Sequence, residues 1–406
     1  MPAFRIPDPF LRALLAIAAL FFTLGFQYAT WASRLPALKA QLGLSAAEVG
    51  VLLMATGVGA AASFPLVTLL MTRLGARRLA LWSALCLTLL LFALAAAPNY
   101  PTALVVMCGD GLLVGCLNVA MNAQGAALES RHGRNAMSKL HATFSAGSLA
   151  AAVLASGVTA LTTTVVVHFA AAAAVLLLLL GCARPGLLTD GQPATSRERQ
   201  RTARRWALPS RLTLWMCCAM AFGTVTEGAM NDWSALYLRD VAQASAELAP
   251  MGIAVVSGVM VLSRLFADGW RSRWGDGRIV RVGSALAGVG LALALLSGGV
   301  LPALIGFACV GLGIAAVTPC VYVAAAGQGP QALTLVAAMG TTGLLAGPPC
   351  IGFLANAAGL VWGMAAVAAC ALVVSLCGTR IRWTPPAAPT GVNADQPAHD
   401  GARLAP

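Results

Sequence analysis

Twelve long apolar runs, divided by short polar breaks, constrain this chain more than any other feature. They lie near residues 11–33, 48–71, 79–97, 102–127, 138–160, 164–183, 212–237, 249–270, 279–300, 303–326, 333–357 and 360–379. At about 1.5 Å per residue, a run of roughly 20 residues crosses the hydrocarbon core of a bilayer. Backbone in lipid must satisfy its own hydrogen bonds, so such runs are helices or strands of a closed barrel. The alternating segments of about ten residues that mark a barrel are absent. Charged residues make up 10% of the chain, against about 25% in a soluble protein, too few to cover a surface facing water. The expected fold class is all-α integral membrane, with twelve transmembrane helices. The first run passes into "WASRLPALK" without a convincing cleavage site, and eleven more follow. It is expected to be retained rather than removed as a signal peptide.

The net charge of +12 raises the question of nucleic acid, and the placement of the charges answers it. With the N-terminus inside, the outer connections carry only Arg34, Lys39 and Arg239, and the other 23 basic residues fall on the inside. That asymmetry is the positive-inside rule. It implies an inner-membrane protein with both termini cytoplasmic and no nucleic-acid partner. The nine tryptophans all lie near span ends, where an amphipathic indole suits the membrane interface. The eleven cysteines sit in apolar runs without metal-ligand spacing and read as small apolar residues. No metal or other cofactor is expected.

An arginine-rich stretch, 184–211, divides the spans into two groups of six. The expected organisation is an N-terminal bundle (1–183), a basic cytoplasmic linker (184–211), a C-terminal bundle (212–381) and a disordered tail (382–406), the last being rich in Pro and Ala. The halves resemble each other. "TRLGARR" from Thr72 follows span 2, and "SRWGDGR" from Ser272 follows span 8. "FSAGSLA" from Phe144 in span 5 parallels "GTTGLLA" from Gly340 in span 11. A duplicated six-span unit is the mark of a carrier that rocks two pseudo-symmetric bundles about a central site.

These residues resemble the major facilitator superfamily, whose inner loop between spans 2 and 3 has the form G-x-x-x-D-R-x-G-R-R. Here Arg73, Gly75, Arg77 and Arg78 match, with Thr68 for the first glycine and Thr72 for the aspartate. The second copy keeps Arg273 and Gly275, with Ser272 at the acidic position. Both aspartates of the family's gating ion pairs are thus missing. Arg264 and Asp268, four apart on one helix face, are candidates for a substitute pair. "NVAMNAQGAALE", "MSKLHATFSAGSLA", "EGAMNDWSALYLR" and "GLLAGPPCIGFLANAAGL" are similar to a narrower branch, the rhizopine-transporter-like proteins related to fucose-type sugar permeases. The resemblance implies alternating access, with spans 1, 4, 7 and 10 lining a cavity. It also places Gly347 and Pro348 in a G-x-x-x-G-P type of bend, here in span 11.

An ionisable group at the centre of a span costs about 2.5–3.5 kcal/mol on insertion scales, so the few present are functional candidates. Glu227 lies ten residues before Tyr237, about 15 Å below the outer surface. A carboxyl out of water is costly to keep charged, so one at this depth can load and release a proton. Asn231 lies one turn above it on the same face. Asp232 points about 140° away and about 7.5 Å nearer the outside, which makes it an interfacial or outer-gate residue rather than a partner of Glu227. Asp110 in span 4, between two glycines that let a neighbouring backbone approach, is the second candidate for proton coupling. Fucose-type permeases pair an acid in span 4 with one in span 1. Span 1 here offers only Gln27 and Tyr28.

Asn118 and Asn122, four apart in span 4, suit a hydroxyl-bearing solute or serve as glue between helices. Gln27, Asn118, Asn122 and Asn231 are the candidate cavity residues. Asn122, Gln124, Glu129 and His141 fall toward the cytosol as a gate or vestibule, and His168 reads as structural. No catalytic constellation or P-loop is present, which argues against an enzyme. The expected function is secondary transport of a small polar solute, a sugar or cyclitol-like compound, coupled to protons, by a monomer in the lipid bilayer. A drug or metabolite efflux antiporter and a non-transporting receptor of the same fold are the competing readings.

Overall fold

The computed structural model describes residues 8–134, 136–189 and 209–383. The described residues fold as helices α1 (Pro9–Ser33), α2 (Leu35–Leu42), α3 (Ala46–Ala95), α4 (Tyr100–His132), α5 (Met137–Leu161), α6 (Val165–Ala183), α7 (Arg211–Asp240), α8 (Met251–Trp274), α9 (Asp276–Ser297), α10 (Val300–Ile314), α11 (Val317–Ala326), α12 (Pro330–Ala358) and α13 (Leu360–Arg380). Polar residues at the breaks start several of them. Asp8 caps α1 through the Phe10 amide at 2.9 Å. Ser45 and Glu48 form a reciprocal capping box on α3. Asn99 and Ser210 cap α4 and α7. Each satisfies amides that the first turn leaves without a helical partner.

α3 has 50 residues, about 75 Å at the helical rise and far more than one bilayer crossing. It is two spans folded at Gly75, where φ is +76° and ψ 164°. Gly275 joins α8 to α9 with φ +76° and ψ 150°. The two loops of the sequence repeat thus turn through the same left-sided conformation, which favours glycine because a Cβ clashes there. With α3 divided and α10 joined to α11 across Ala315 and Ala316, the rods correspond to the twelve apolar runs. Nine helical stretches among the described residues are long and apolar enough to cross a membrane by themselves, the undivided α3 among them. α7 is outside that set, and α8 enters only as a shorter apolar helix, Met251–Ala267. These two helices carry Glu227, Asp232 and Arg264. Many of the most exposed side chains are apolar, such as Leu161 (89%) and Leu296 (84%), as a surface facing lipid requires.

The repeat is visible in the packing. α1 packs on α5 and α6, and α7 packs on α12 and α13. α3 lies against α4 and α6, and α9 against α10 and α13. A Cβ on Gly147 would lie 2.2 Å from the Phe22 carbonyl oxygen on α1, and one on Gly343 would lie 2.4 Å from the Ala221 oxygen on α7. These glycines occupy matching positions of "FSAGSLA" and "GTTGLLA", so each half seats its fifth span against its first at a glycine. The halves meet along α3 with α12 and α5 with α8, and α7 also touches α1 and α2.

Two sequence expectations need correction. The short α2 was missed, because its "LPALKAQL" continues the polar break after span 1. Trp31 and Trp233 are not at the lipid interface. Both are 1% exposed and belong to the buried core instead. Trp82 and Trp362, at 58% and 62% exposure, do present their rings outward. The linker residues 190–208, with Trp206, and the tail beyond Trp383 lie outside the described residues.

Candidate functional site

The site grows from consecutive residues of α1. Gln27 donates from Nε2 to Asp110 Oδ1 of α4 at 2.7 Å. Tyr28 donates its hydroxyl proton to Asp232 Oδ1 of α7. Successive helical residues point about 100° apart, so one turn of α1 reaches an acid in its own half and an acid in the other. Gln27, Asp110 and Asp232 are 1%, 3% and 5% exposed. Gln27 Oε1 and Asp110 Oδ2 have no hydrogen-bond partner. Asp110 therefore has one neutral donor and no cation within ion-pair distance among the described residues. Of its flanking glycines, Gly111 permits the expected close backbone approach, with the Thr56 carbonyl oxygen 1.7 Å from where a Cβ would stand. Asp232 is not interfacial. It is buried where the halves touch, and Tyr28 stacks edge-on against Trp31 at 4.9 Å beside it.

Glu227 occupies a different environment from the one its sequence suggests. Arg264 of α8 donates from Nη2 to Glu227 Oε1 at 3.0 Å and from Nη1 to Ser145 Oγ of α5 at 2.5 Å. The Glu227 and Arg264 side chains are 25% and 22% exposed. One guanidinium thus links the acid of the C-terminal half to a hydroxyl of the N-terminal half. Arg264 reaches across to α7, and the expected pairing with Asp268 falls on a side chain outside the described residues. His141, one turn from Ser145, packs edge-on against Phe21 at 5.0 Å and lies within electrostatic range of Arg264 and Glu227. Asn231 donates to the Glu227 main-chain oxygen at 3.1 Å.

The amides of α4 divide by role. Asn122 donates to the Asn118 side-chain and main-chain oxygens, both at 2.8 Å, and Asn118 itself is exposed. Gln124 instead clasps the main chain of Leu188 with two hydrogen bonds of 2.9 and 3.0 Å. Glu129 accepts from the Ala136 and Met137 amides at the start of α5. Gln124 thus ties α4 to the stretch after α6, and Glu129 ties α4 to the start of α5. His168 is fully buried with neither ring nitrogen hydrogen-bonded.

In the repeated loops, Arg77 donates to the Arg184 carbonyl oxygen at 2.8 Å, tying the α3 turn to the end of α6. Arg73 and Arg273 are exposed, and Arg273 lies 5.9 Å from the Trp274 ring centroid. Sequence reasoning missed a fork there: Arg271 holds both carboxylate oxygens of Asp276 at 2.8 and 3.1 Å. The acid inside "SRWGDGR", two residues beyond Trp274, was the available signal. Gly347 and Pro348 lie within α12, which continues through Pro348 and Pro349.

The contacts that join the halves accumulate toward the end of the molecule that carries α2. Lys39 meets Asp240 at 2.5 Å, Ser156 donates to the Glu247 carbonyl oxygen at 2.5 Å, and Tyr28 holds Asp232. A Cβ on Gly50 would lie 2.9 Å from the Pro348 carbonyl oxygen of α12. All of these lie on the α2 side of Arg264, so the bundles are closed at that end.

Comparison with known proteins gives this geometry a family. Residues 15–331 match the model of the Major Facilitator Superfamily. An uncharacterized transporter, y4wD, of Sinorhizobium fredii is 36% identical over 348 residues, covering 84% of this chain and 91% of that protein. Membrane protein MosC of Rhizobium meliloti is 31% identical over 375 residues, 89% of this chain and 88% of its own. The crystal structure of a D-xylose-proton symporter superposes with a TM-score of 0.70 at 14% identity, over 93% of this chain and 98% of that one, a likeness of fold. The extent of the family match and the duplicated two-bundle architecture lead to one assignment: this chain is a transporter, not an enzyme, and belongs to the Major Facilitator Superfamily.

Proposed function

We propose that the protein is a proton-coupled secondary transporter of a small polar solute, in which Glu227 is the proton site and Arg264 the element that senses it. The observation that carries this reading is the shared guanidinium, which binds Glu227 with one nitrogen and Ser145 of the opposite bundle with another. A proton on Glu227 removes one charge of the pair. Arg264 is then held by neutral acceptors alone, and charge-assisted hydrogen bonds are roughly twice as strong as neutral ones. The balance of forces across α5 and α8 changes with a single proton. Two rocking bundles, 1–183 and 212–381, need such a switch near the middle of their seam.

Asp110 is the second proton candidate, because its carboxyl is buried with one neutral donor. The amides of Gln27, Asn118, Asn122 and Asn231 supply donors and acceptors for a hydroxylated solute, a sugar or cyclitol-like compound. The structural likeness to a D-xylose-proton symporter is in keeping with this cargo class. The arginine distribution supports a reading with the termini in the cytoplasm and α2 outside, in an inner membrane; the chain is read as a monomer.

The test is uptake into proteoliposomes of a panel of sugars, cyclitols and drugs, with and without a pH gradient. Accumulation of a hydroxylated solute driven by an inward proton gradient supports the proposal. Proton-driven extrusion of an apolar drug would favour the efflux reading, and exchange of no solute at all would favour a receptor.

A further inference from the structure

Two of the three basic residues in the connections at the α2 end share one cavity. It has a volume of about 220 Å³ and is lined by Arg34, Thr159 and Thr163 of the N-terminal half and Arg239 of the C-terminal half, with Ala37 and Ala40 of α2 among its short apolar walls. The third, Lys39, is already neutralised by Asp240. Arg34 is 4% exposed. Its guanidinium donates to Thr159 Oγ1 and to the Thr163 carbonyl oxygen, both neutral, and its buried Nε has no partner. A guanidinium carries more N–H groups than these two acceptors use. Arg239 donates to the Ala244 carbonyl oxygen at 2.9 Å. Glu247 lies within electrostatic range of Arg239 without forming an ion pair. Among the described residues no carboxylate lies within ion-pair distance of Arg34 or Arg239.

A buried cation without a counter-charge is expensive, and a second cation on the same cavity adds repulsion. An anion in the cavity would cancel both costs. We infer that this cavity is a binding site for a small organic carboxylate. The guanidinium fork matches a carboxylate, and the alanine and proline walls suit a short hydrocarbon body rather than a bare inorganic ion. The space is adequate, since a cavity of about 150 Å³ holds benzene. The lining comes from both bundles, so the ligand bridges the seam where the halves are already closed. The site is separate from Glu227 and does not depend on the proton-coupled reading.

The test is equilibrium dialysis of radiolabelled butyrate against the purified full-length protein, with butyramide as the neutral isostere and sulfate as the inorganic competitor. The expected result is one saturable butyrate site. Butyramide should bind at least about tenfold more weakly, as the loss of a charge-assisted contact predicts. Arg239→Gln should weaken butyrate by a similar factor, and Arg239→Lys by less. Arg239 is exposed, so these variants leave the fold intact, whereas Arg34→Gln removes buried contacts and is not the informative change. Binding is read on the protein without any proton gradient, which separates failure of this site from failure of the transport proposal. Absence of saturable butyrate binding, equal binding of butyramide, or binding indifferent to Arg239→Gln would overturn the assignment. Sulfate displacing butyrate at equal concentration would overturn the choice of an organic ligand.

Discussion

Replacing Glu227 by Gln is the sharpest test of the coupling site, because the change removes a charge and almost nothing else. The amide keeps an oxygen where Oε1 now accepts from Arg264 at 3.0 Å, and the volume is unchanged. Two unit charges about 4 Å apart interact by about 4 kcal/mol at an effective dielectric constant near 20. Both side chains are about three-quarters buried, so desolvation offsets much of that attraction. The net loss of stability should be about 1–2 kcal/mol, small enough for the variant to fold and insert. The functional effect is larger. If Glu227 carries one proton per cycle, each pH unit supplies about 1.36 kcal/mol, enough to concentrate the solute about tenfold. In proteoliposomes with the membrane potential clamped at zero, the wild-type protein should approach that ratio under a gradient of one unit. Glu227→Gln should equilibrate to equal concentrations while still exchanging labelled for unlabelled solute. Wild-type accumulation by the variant would refute the assignment of the proton to Glu227. Arg264→Gln alone leaves Glu227 as a largely buried acid without its cation, so it should be less stable than the double variant with Glu227→Gln.

Other parts of the site make different demands. Asp110→Leu strands the Gln27 amide among buried neighbours and should cost about 1–3 kcal/mol, read as a lower Tm in detergent, whereas Asp110→Asn should recover most of it. Gly343→Ala drives a methyl group into the Ala221 carbonyl and should cost about 1–3 kcal/mol by overpacking; Gly147→Ala should behave alike if the repeat is structural as well as sequential. Lys39 and Asp240 are 29% and 33% exposed. Asp240→Asn should therefore change stability by less than about 1 kcal/mol, and a larger loss in a thermal unfolding assay would show that this pair does more than tie two surface side chains.

The spans were legible because lipid imposes a length and a polarity that a single sequence displays. Departures occur where a local conformation, not hydropathy, decides. The polar loop between spans 2 and 3 did mark the turn at Gly75, whereas Ala315 with Ala316 separates α10 from α11 without any polar residue to mark the place. Trp31 shows the same limit from the other side. A tryptophan near a span end satisfies the interfacial pattern, but that pattern does not reveal whether a neighbouring helix covers the ring. Here both rings are covered, and Trp31 and Trp233 become core.

The candidate site was legible residue by residue and not in its pairings. Periodicity along α7 correctly separates Glu227 from Asp232, since turns of one helix fix their relative direction. It says nothing about what stands opposite. Arg264 was read with Asp268 because i,i+4 neighbours are the only contacts that a helical sequence specifies by itself. The observed partner is 37 positions away, on a helix whose rotation is set by packing against α5. The same holds for Gln27 and Tyr28, which looked like an incomplete replacement for an acid in span 1. In three dimensions they are donors for two acids, Asp110 in span 4 and Asp232 in span 7. Span 1 lacks a carboxylate, yet it is the helix that holds a carboxylate from each half. A carrier arranged in this way has its acids near the axis about which the bundles must turn. Tyr28→Phe should then weaken closure at the α2 end while leaving the Glu227–Arg264 pair intact. Spin labels placed on the α2 end of each bundle would report a larger open fraction in Tyr28→Phe than in the wild type. An unchanged distance distribution would show that the Asp232 contact merely fills the seam.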